Sequence, residues 1–428
     1  MPPRPRAVIV GLDGVPHRLI ERYASDGTMP NLGAILATGT LRRMASSIPE
    51  ISCVAWSTII TGRNPGVHGI YGFMNLRPGT YQFSFPAFGD LKAPPFWEEM
   101  PDTRAAIVNI PGTYPARTMN GVTVSGFVAL DLARATYPKH LIPELERLGY
   151  RIDVDAAKGH SDIDAFLRDL DATLEARIRA ARFLLARERW DIFFLAFTGT
   201  DRLSHFLFEA FENDAHPRAG AFRAHFKRID GYLGELYETV GADDLLVLLS
   251  DHGFDLVETE INVNRALADA GFLKIASPTR DSFEGVGEGS RAFALDPARI
   301  YVNLRGRYPR GCVDPGDRER VARDVAGALQ DLSVNGRPVI RSVFSREELY
   351  AGSRIAEAPD LVLLPRRGFD LKGRLAAPAL VSRGVFTGMH THDDAFLFVR
   401  SSAIPPSEIP AAPWVGDVRA LVERGLAG

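Results

Sequence analysis

Three apolar runs of the sequence are each followed by an aspartate. AVIVGL precedes Asp13, DIFFLAFTGT precedes Asp201, and DLLVLLS precedes Asp251 and His252. In an open α/β sheet, the carboxyl ends of the strands form the crevice where ligands bind. Three carboxylates in one crevice repel one another unless a divalent cation neutralises them. The pattern therefore predicts a metal site at the carboxyl edge of a sheet.

Histidines add the ligands that such a site needs. His205 follows Asp201 by four residues, so both side chains would lie on one face of a helix. His390 and His392 lie in GMHTHDDA, directly before the last predicted core strand. Mixed Asp and His ligands favour zinc, with manganese as the second choice. Six ligands divide into two sites of three, and two cations about 4 Å apart are usual for in-line displacement at phosphorus.

Each of these residues also has a simpler interpretation. A single aspartate at a strand end is most often a helix cap, and an i,i+4 Asp/His pair is more often a surface pair. The metal interpretation depends on the joint pattern, since a set of independent caps all at predicted strand ends is improbable.

A hydroxyl and a thiol lie side by side in PEISCVAWSTIITG, residues 49–62. Residues 53–61 form a predicted short helix with Gly62 as its C-cap and Ser52 as its N-cap. An N-cap hydroxyl faces the first N–H groups of the helix, which attract an anion, and a metal lowers the pKa of such a hydroxyl. Ser52 as nucleophile, Cys53 as nucleophile and a plain capping serine are all compatible with this stretch by itself.

The strands and helices that must position these residues are predicted to form an α/β protein. The runs AVIVGL, AAIVNI, VTVSGF, DIFFLAF and DLLVLLS are short and continuously apolar, as in strands covered on both faces. Amphipathic helices are predicted between them, at 163–189 and 218–240. Strand–helix alternation predicts a doubly wound, mostly parallel sheet with helices on both faces.

Residues 256–355 differ, because they are rich in turn residues and alternate weakly. We predict a catalytic core at 1–255 and 356–428, with 256–355 inserted as a cap that determines substrate specificity. LVLLP (361–365) and AFLFV (395–399) are predicted to be core strands.

Composition excludes several function classes. Of 428 residues 46% are hydrophobic and 24% charged, and the net charge of −3 gives no general attraction to nucleic acid or anionic membrane. No apolar run approaches the roughly 20 residues of a membrane span, and two cysteines offer no disulfide framework. We expect a cytoplasmic protein that acts on a small molecule, with no polymeric nucleic acid and no membrane as partner.

Motifs in order along the chain resemble the alkaline phosphatase superfamily, and within it the bacterial and archaeal branch known as type I phosphodiesterase/nucleotide pyrophosphatase. The motifs are GLDG, MPNL, PEISCVAWSTIITGRNPGVHGI, TGTDRLSH, SDHG and GMH. Similar stretches such as PPFWEEM, INVNRALADAGFL and APDLVLLP extend the resemblance over essentially the whole chain.

The resemblance implies roles for these residues. One cation would be held by Asp13, Asp251 and His252, and the other by Asp201, His205 and His390. His392 would lie behind these ligands, and His68 would be a packing residue. Relatives place the nucleophile ten residues before the Gly of T-G-x-x-P-x-x-H-G, which here identifies Ser52. The backbone N–H of Cys53 would then help to hold a non-bridging oxygen.

Two departures from relatives bear on the activity. Sulfatases of the superfamily follow their formylglycine precursor with x-Pro-x-Arg, whereas Cys53-Val54-Ala55-Trp56 stands here, so maturation to formylglycine is not supported. Nucleotide pyrophosphatases have a Thr nucleophile and a phosphoryl-binding Asn, where this chain has Ser52 and Phe73, with Asn75 nearby.

The leading hypothesis is a two-zinc phosphodiesterase or nucleotide pyrophosphatase with a covalent phosphoseryl intermediate. A phosphomonoesterase, a phosphonate hydrolase and a catalytically inactive metal-binding member remain as alternatives. A monoesterase usually needs extra positive charge for the second anionic oxygen, and no Arg can be assigned to that role from the sequence.

Overall fold

The computed structural model describes residues 5–276 and 282–427. The chain divides into two compact units. The first comprises Met1–Arg63, Ala87–Asp255 and Phe386–Gly428, and the second comprises Asn64–Pro86 and Leu256–Val385. The expected insertion at 256–355 thus lies within the second unit, which extends further along the chain and also includes an earlier segment.

Among the described residues, eight strands of the first unit form one sheet. They are β1 (Ala7–Leu12), β2 (Thr40–Met44), β3 (Ala105–Val108), β4 (Gly121–Val124), β5 (Thr136–Tyr137), β6 (Ile192–Phe197), β7 (Leu245–Leu249) and β8 (Ala395–Arg400). Their order is β2-β8-β7-β1-β6-β3-β4-β5. The central run from β7 to β4 is parallel, and β2, β8 and β5 pair antiparallel at the edges. The mostly parallel α/β sheet is confirmed.

Every residue of β1, β6 and β7 is buried, which explains why these runs are apolar without alternation. β1 lies between β6 and β7, and the three strands end almost level: Leu12 pairs with Phe197, and Gly11 pairs with Leu249. Whatever follows these strands therefore emerges side by side at one edge of the sheet.

Helices of the first unit surround this sheet. They are α1 (His17–Ser25), α2 (Pro30–Leu36), α3 (Ser52–Thr61), α4 (Leu132–Ala135), α5 (Ile142–Arg147), α6 (Ala157–Ser161), α7 (Ile163–Arg187), α8 (Gly199–Glu212), α9 (Ala219–Glu238) and α10 (Val418–Ala427). The helices predicted at 163–189 and 218–240 correspond to α7 and α9. Within the described part of the chain, none of the helices combines the length and apolar character needed to cross a membrane.

The second unit is built on an antiparallel sheet. Its strands, in spatial order, are Ala292–Leu295, Arg299–Val302, Leu361–Pro365 and Ile340–Ser345. Shorter strands are Asn75–Leu76, Phe83–Ser84, Ser333–Val334, Arg337–Pro338, Gly368–Lys372 and Val381–Ser382, and Gly253–Asn262 runs from the first unit into the second. Helices are Pro65–His68, Val263–Asp269, Arg318–Gln330 and Arg346–Leu349.

The strand predicted at LVLLP is confirmed, but it lies in the second unit and not in the predicted core. Leu361–Pro365 is a strand, but it pairs antiparallel with neighbours in the second unit. A continuous apolar run indicates burial on both faces and does not indicate which sheet the strand joins. AFLFV, by contrast, is β8 of the main sheet.

The early segment Asn64–Pro86 belongs to the second unit because its aromatic side chains pack there. The Tyr81 ring stacks on Tyr308 at 5.9 Å and lies edge-on to Phe293 at 6.0 Å. The buried Tyr81 hydroxyl donates to the Asn303 side chain at 2.9 Å.

Candidate active site

The level ends of β1, β6 and β7 bring the three predicted strand-end acids together. Asp13 directly follows β1, and its backbone N–H donates to the carbonyl of Phe197 at 3.0 Å. Asp251 and His252 follow β7 after one intervening serine. Asp201 lies in the first turn of α8, which starts just beyond β6.

Asp13, Asp251 and His252 form what we call the first set. Nε2 of His252 lies 3.6 Å from Oδ1 of Asp13 and 3.5 Å from Oδ2 of Asp251. All three side chains are buried, with relative exposures of 2%, 0% and 0%. Their ligand atoms lie within 4.8 Å of one another, as a shared cation requires.

Asp201, His205 and His390 form the second set. His205 lies one helical turn after Asp201 on α8, and His390 lies on the strand Gly388–Thr391. Oδ1 of Asp201 is 3.4 Å from Nε2 of His205 and 3.1 Å from Nε2 of His390. The His205 and His390 side chains are 21% and 22% exposed, so this set is the more open one. His252 also lies near it, with Nε2 3.9 Å from Oδ1 of Asp201.

Each of the three carboxylates is held from behind through one oxygen, and its other oxygen faces the cluster. The donors are Nε1 of Trp56 to Oδ2 of Asp13 (2.9 Å), the N–H of Gly14 to Oδ1 of Asp251 (3.1 Å) and Nη1 of Arg202 to Oδ2 of Asp201 (3.1 Å). Metal-binding carboxylates need this arrangement, because the hydrogen-bond donor on the outer oxygen fixes the direction of the inner oxygen.

Each of the three histidines is likewise held through its outer ring nitrogen, so that the inner nitrogen faces the cluster. Their Nδ1 atoms lie against backbone carbonyls: Gly253 for His252 (3.1 Å), Gly388 for His205 (3.2 Å) and Glu50 for His390 (2.8 Å). A carbonyl only accepts, so Nδ1 carries the proton, and the neutral ring presents the lone pair of Nε2 inward. The Nε2 atoms of His205 and His390 are 3.0 Å apart, so two neutral rings would direct their lone pairs at each other, a conflict that a cation between them or protonation of His390 removes.

The residues fit a divalent cation in the first set as well. Oδ2 of Asp251 is buried and, among the described residues, makes no hydrogen bond. A buried carboxylate oxygen without a partner is costly in a protein interior unless a cation binds it. Two carboxylates and one imidazole also match the donor types that zinc and manganese accept.

Electrostatics separate the two sets. The pKa of the Asp13 carboxyl is raised well above its ordinary value, first by burial and then by the charges of Asp251 and Asp201. Burial also raises the pKa of Asp251 to about 7, although the N–H of Gly14 opposes the shift. Burial lowers the pKa of His252 well below its usual range, which keeps the ring neutral.

In the second set the carboxyl shift has the opposite sign. Burial alone would raise the pKa of Asp201, but His205, His390 and Arg202 together lower it well below its ordinary value. The pKa of His390 is raised, because its hydrogen bond to Asp201 outweighs its burial.

Ser52 faces the first set. Its Oγ lies 3.1 Å from Nε2 of His252 and 3.3 Å from Oδ1 of Asp13. The predicted helix start is one residue late: α3 begins at Ser52, and Ile51, in extended conformation, is the N-cap. Gly62 ends the helix in the left-handed region at φ 62°, as predicted.

Three further predicted positions have contacts of their own. His392 is half-buried, and its carbonyl accepts the N–H of Ser46, whose hydroxyl donates to the carbonyl of Asp251 at 2.6 Å. In the second unit, His68 is buried and its pKa is lowered to about 3 by burial, as expected of a packing residue. Asn75, also in that unit, accepts Nη1 of the buried Arg299 at 3.1 Å.

Two side chains that donate hydrogen bonds to the candidate metal ligands, Trp56 and Arg202, were not predicted from the sequence. Trp56 lies four residues after Ser52, so both share a helix face, and this spacing is a signal that can be read in advance. Arg202 directly follows Asp201, and nothing in their adjacency predicts that the guanidinium turns back onto the carboxylate. The backbone partners of the histidines leave no trace in the residue types.

Comparisons with known proteins identify the family and the fold. The family model for type I phosphodiesterase/nucleotide pyrophosphatase matches residues 7–393. The curated proteins include no sequence match to this chain. A structure of phosphonoacetate hydrolase from Sinorhizobium meliloti 1021 in complex with phosphonoacetate is similar in fold, with a TM-score of 0.65 and 19% identity over 99% of this chain and 96% of that one.

Two ectonucleotide pyrophosphatase/phosphodiesterase 5 structures are similar as well. The murine protein has a TM-score of 0.57 and the human protein 0.58, each with 14% identity over 99% of this chain and 95% of the other. At such identities the likeness shows a shared fold, of the alkaline phosphatase type. The family match spans nearly the whole chain, and the protein therefore belongs to the type I phosphodiesterase/nucleotide pyrophosphatase family.

Proposed function

We propose that this protein is a metal-dependent hydrolase of phosphate diesters or nucleotide-type anhydrides, with Ser52 as its nucleophile. The observation that supports this most strongly is the position of the Ser52 hydroxyl, within 3.3 Å of ligand atoms from both His252 and Asp13. A serine that served only as a helix cap would have its hydroxyl on backbone N–H groups.

The first set would hold one cation and the second set the other, with zinc as the first choice and manganese as the second. When bound, such cations supply positive charge that lowers the pKa of a nearby hydroxyl and stabilises anionic oxygens at phosphorus. The chain's own contribution is orientation, since each ligand is already held through its outer atom.

Ser52 Oγ attacks phosphorus, the Oγ–P bond forms, and the bond from phosphorus to the leaving oxygen breaks. The proton of the Ser52 hydroxyl ends on the leaving oxygen, and a covalent phosphoseryl group remains. Water then forms a new P–O bond, the Oγ–P bond breaks, and a water proton returns to Oγ. The start of α3, including the backbone N–H of Cys53, favours a non-bridging oxygen in front of it.

The test compares wild type with Ser52→Ala on bis-p-nitrophenyl phosphate after reconstitution with zinc or manganese. We expect turnover by wild type and a loss of at least about 10³-fold in the variant, with metal content unchanged. Acid quenching of wild type during turnover of this diester should trap a p-nitrophenyl phosphoryl group on the peptide that contains Ser52, since only one of the two aryl groups leaves in the first step. Full turnover by Ser52→Ala would exclude this nucleophile.

Phosphonate hydrolysis is the second candidate, because the solved structures with a similar fold include a phosphonoacetate hydrolase. Initial rates on bis-p-nitrophenyl phosphate, p-nitrophenyl phosphate and phosphonoacetate separate diester, monoester and phosphonate preference. A protein that binds zinc in stoichiometric amounts and turns over none of them would be a metal-binding member without this activity.

A further inference from the structure

The two carboxylate oxygens of Asp201 have different partners. Oδ1 faces the imidazoles of the second set, whereas Oδ2 accepts Nη1 of Arg202 at 3.1 Å. Arg202 therefore contacts the carboxylate on the side away from the cluster. A guanidinium there fixes the plane of the carboxylate without competing for its inner oxygen.

Arg202 is itself held from two further sides. Its Nε and Nη2 donate to Oδ2 of Asp153 at 3.3 and 3.1 Å. The ring of Phe127 covers its face, with the guanidinium carbon 4.3 Å from the ring centre. The side chains of Arg202 and Asp153 are only 18% and 17% exposed, so solvent screens this ion pair less than a surface pair.

Asp153 is tied to the strand that leads into the site. Oγ1 of Thr198, the residue directly after β6, lies 3.5 Å from Oδ1 of Asp153. Oγ1 of Thr198 also accepts Nη1 of the buried Arg177 at 3.0 Å and Nδ2 of the buried Asn109 at 3.3 Å. The chain of contacts thus runs from the buried core through Asp153 and Arg202 to Asp201.

We propose that Asp153 and Arg202 form a positioning pair that orients the Asp201 carboxylate, so that the cation affinity of the second set depends on an ion pair outside the ligand shell. The inference rests on the part of the proposed function in which the second set binds a cation. Neither residue needs to touch the cation or the substrate for this effect.

The experiment is an equilibrium zinc titration against a colorimetric chelator on wild type, Arg202→Gln, Asp153→Asn and the double variant. We expect each single variant to weaken one of the two zinc affinities by about 10- to 100-fold and to leave the other unchanged. The double variant should lose no more zinc affinity than the single variant that binds zinc less tightly, because both residues act through Asp201. At saturating zinc, kcat should return towards the wild-type value.

Two further variants complete the design. Arg202→Lys keeps the charge but loses the forked donor, and should recover part of the affinity and of the fold if Arg202→Gln unfolds. Arg182→Gln removes the bidentate contact to Glu235, an exposed pair on α7 and α9, and should leave both zinc affinities at the wild-type value.

The pair would be excluded by unchanged zinc affinities in Arg202→Gln with an altered KM, which would assign Arg202 to the substrate. Loss of zinc in Arg202→Gln but not in Asp153→Asn would exclude Asp153 as its support. The titration requires no turnover, so the zinc affinities could still be measured and compared if the proposed catalytic function proved wrong. Binding of no zinc by wild type would overturn both.

Discussion

The two ligand sets have the same construction and opposite electrostatics. In both, outer atoms bind protein donors or carbonyls and inner atoms converge. The first set is fully buried and has two carboxylates to one imidazole, and burial raises the pKa of both acids. The second set has one carboxylate, two imidazoles and an adjacent guanidinium, and its acid has a lowered pKa. The protein's own cationic groups thus offset the acid of the second set, whereas the acids of the first set are offset by protonation or by a bound cation.

The largest test of this difference replaces one ligand in each set. Asp251→Asn and His205→Asn should each lose one zinc and at least about 10³-fold in turnover. Without metal they should diverge at pH 8: Asp251→Asn should raise the free energy of unfolding by roughly 2–4 kcal/mol, since it removes a buried charge at about 1.4 kcal/mol per pKa unit. His205→Asn should change it by less than about 1 kcal/mol. Urea unfolding in chelator measures both, and equal effects would contradict the comparison.

The outer partner of the first set is tested by Trp56→Phe. Nε1 of Trp56 holds Oδ2 of Asp13, so loss of the donor should weaken one zinc affinity by about 10-fold. The affinity affected should be the one that Arg202→Gln leaves unchanged. If both variants weakened the same zinc, the division into two sets would be wrong.

Stability against pH provides a smaller test. The folded pKa of Asp251, about 7, exceeds its unfolded value near 3.8, so the native state binds more protons in between and loses stability as pH rises. Buried neutral histidines such as His68, with a pKa of about 3, act in the opposite direction below pH 6.5. Between pH 6.5 and 8 the metal-free protein should therefore lose about 1 kcal/mol of unfolding free energy.

Urea unfolding in chelator at these two pH values measures the loss. Asp251→Asn should reduce it by the share that Asp251 contributes, the remainder coming from Asp13 and His390, whose pKa values are also raised. Excess zinc should remove the loss in wild type, because a bound cation keeps the carboxylate ionised. A stability that rises over this interval would show that Asp251 is not held protonated.

The smallest expected effect belongs to the thiol beside the nucleophile. Cys53→Ala keeps the backbone N–H at the start of α3 and should lower kcat/KM by less than about threefold, in contrast to Ser52→Ala. The same assay on bis-p-nitrophenyl phosphate measures both. Abolished turnover in Cys53→Ala would mean that the assignment is one residue out of register.

The amount that could be predicted differs between the two units. The apolar runs that became β1, β6 and β7 are buried on both faces, so their type and the acids at their ends could be read from residue order. The second unit could not be delimited in this way. Leu361–Pro365 has the same apolar character but joins an antiparallel sheet, and Tyr81 brings an early segment into a core formed mostly by residues more than 170 positions later.

Within the site, the sequence by itself indicated the acids at the strand ends and the Asp201/His205 pair as candidate ligands, since strand ends and a four-residue helical spacing are local properties of the chain. The choice of Ser52 over Cys53 and the division into two sets followed from the resemblance to the family. Only the tertiary structure decided how each ligand is held. The carbonyls that accept from the histidines, and the turn of Arg202 between Asp201 and Asp153, depend on backbone and side-chain directions at distant positions. Residue types do not encode those directions. The directions in turn set the opposite electrostatics of the two sets.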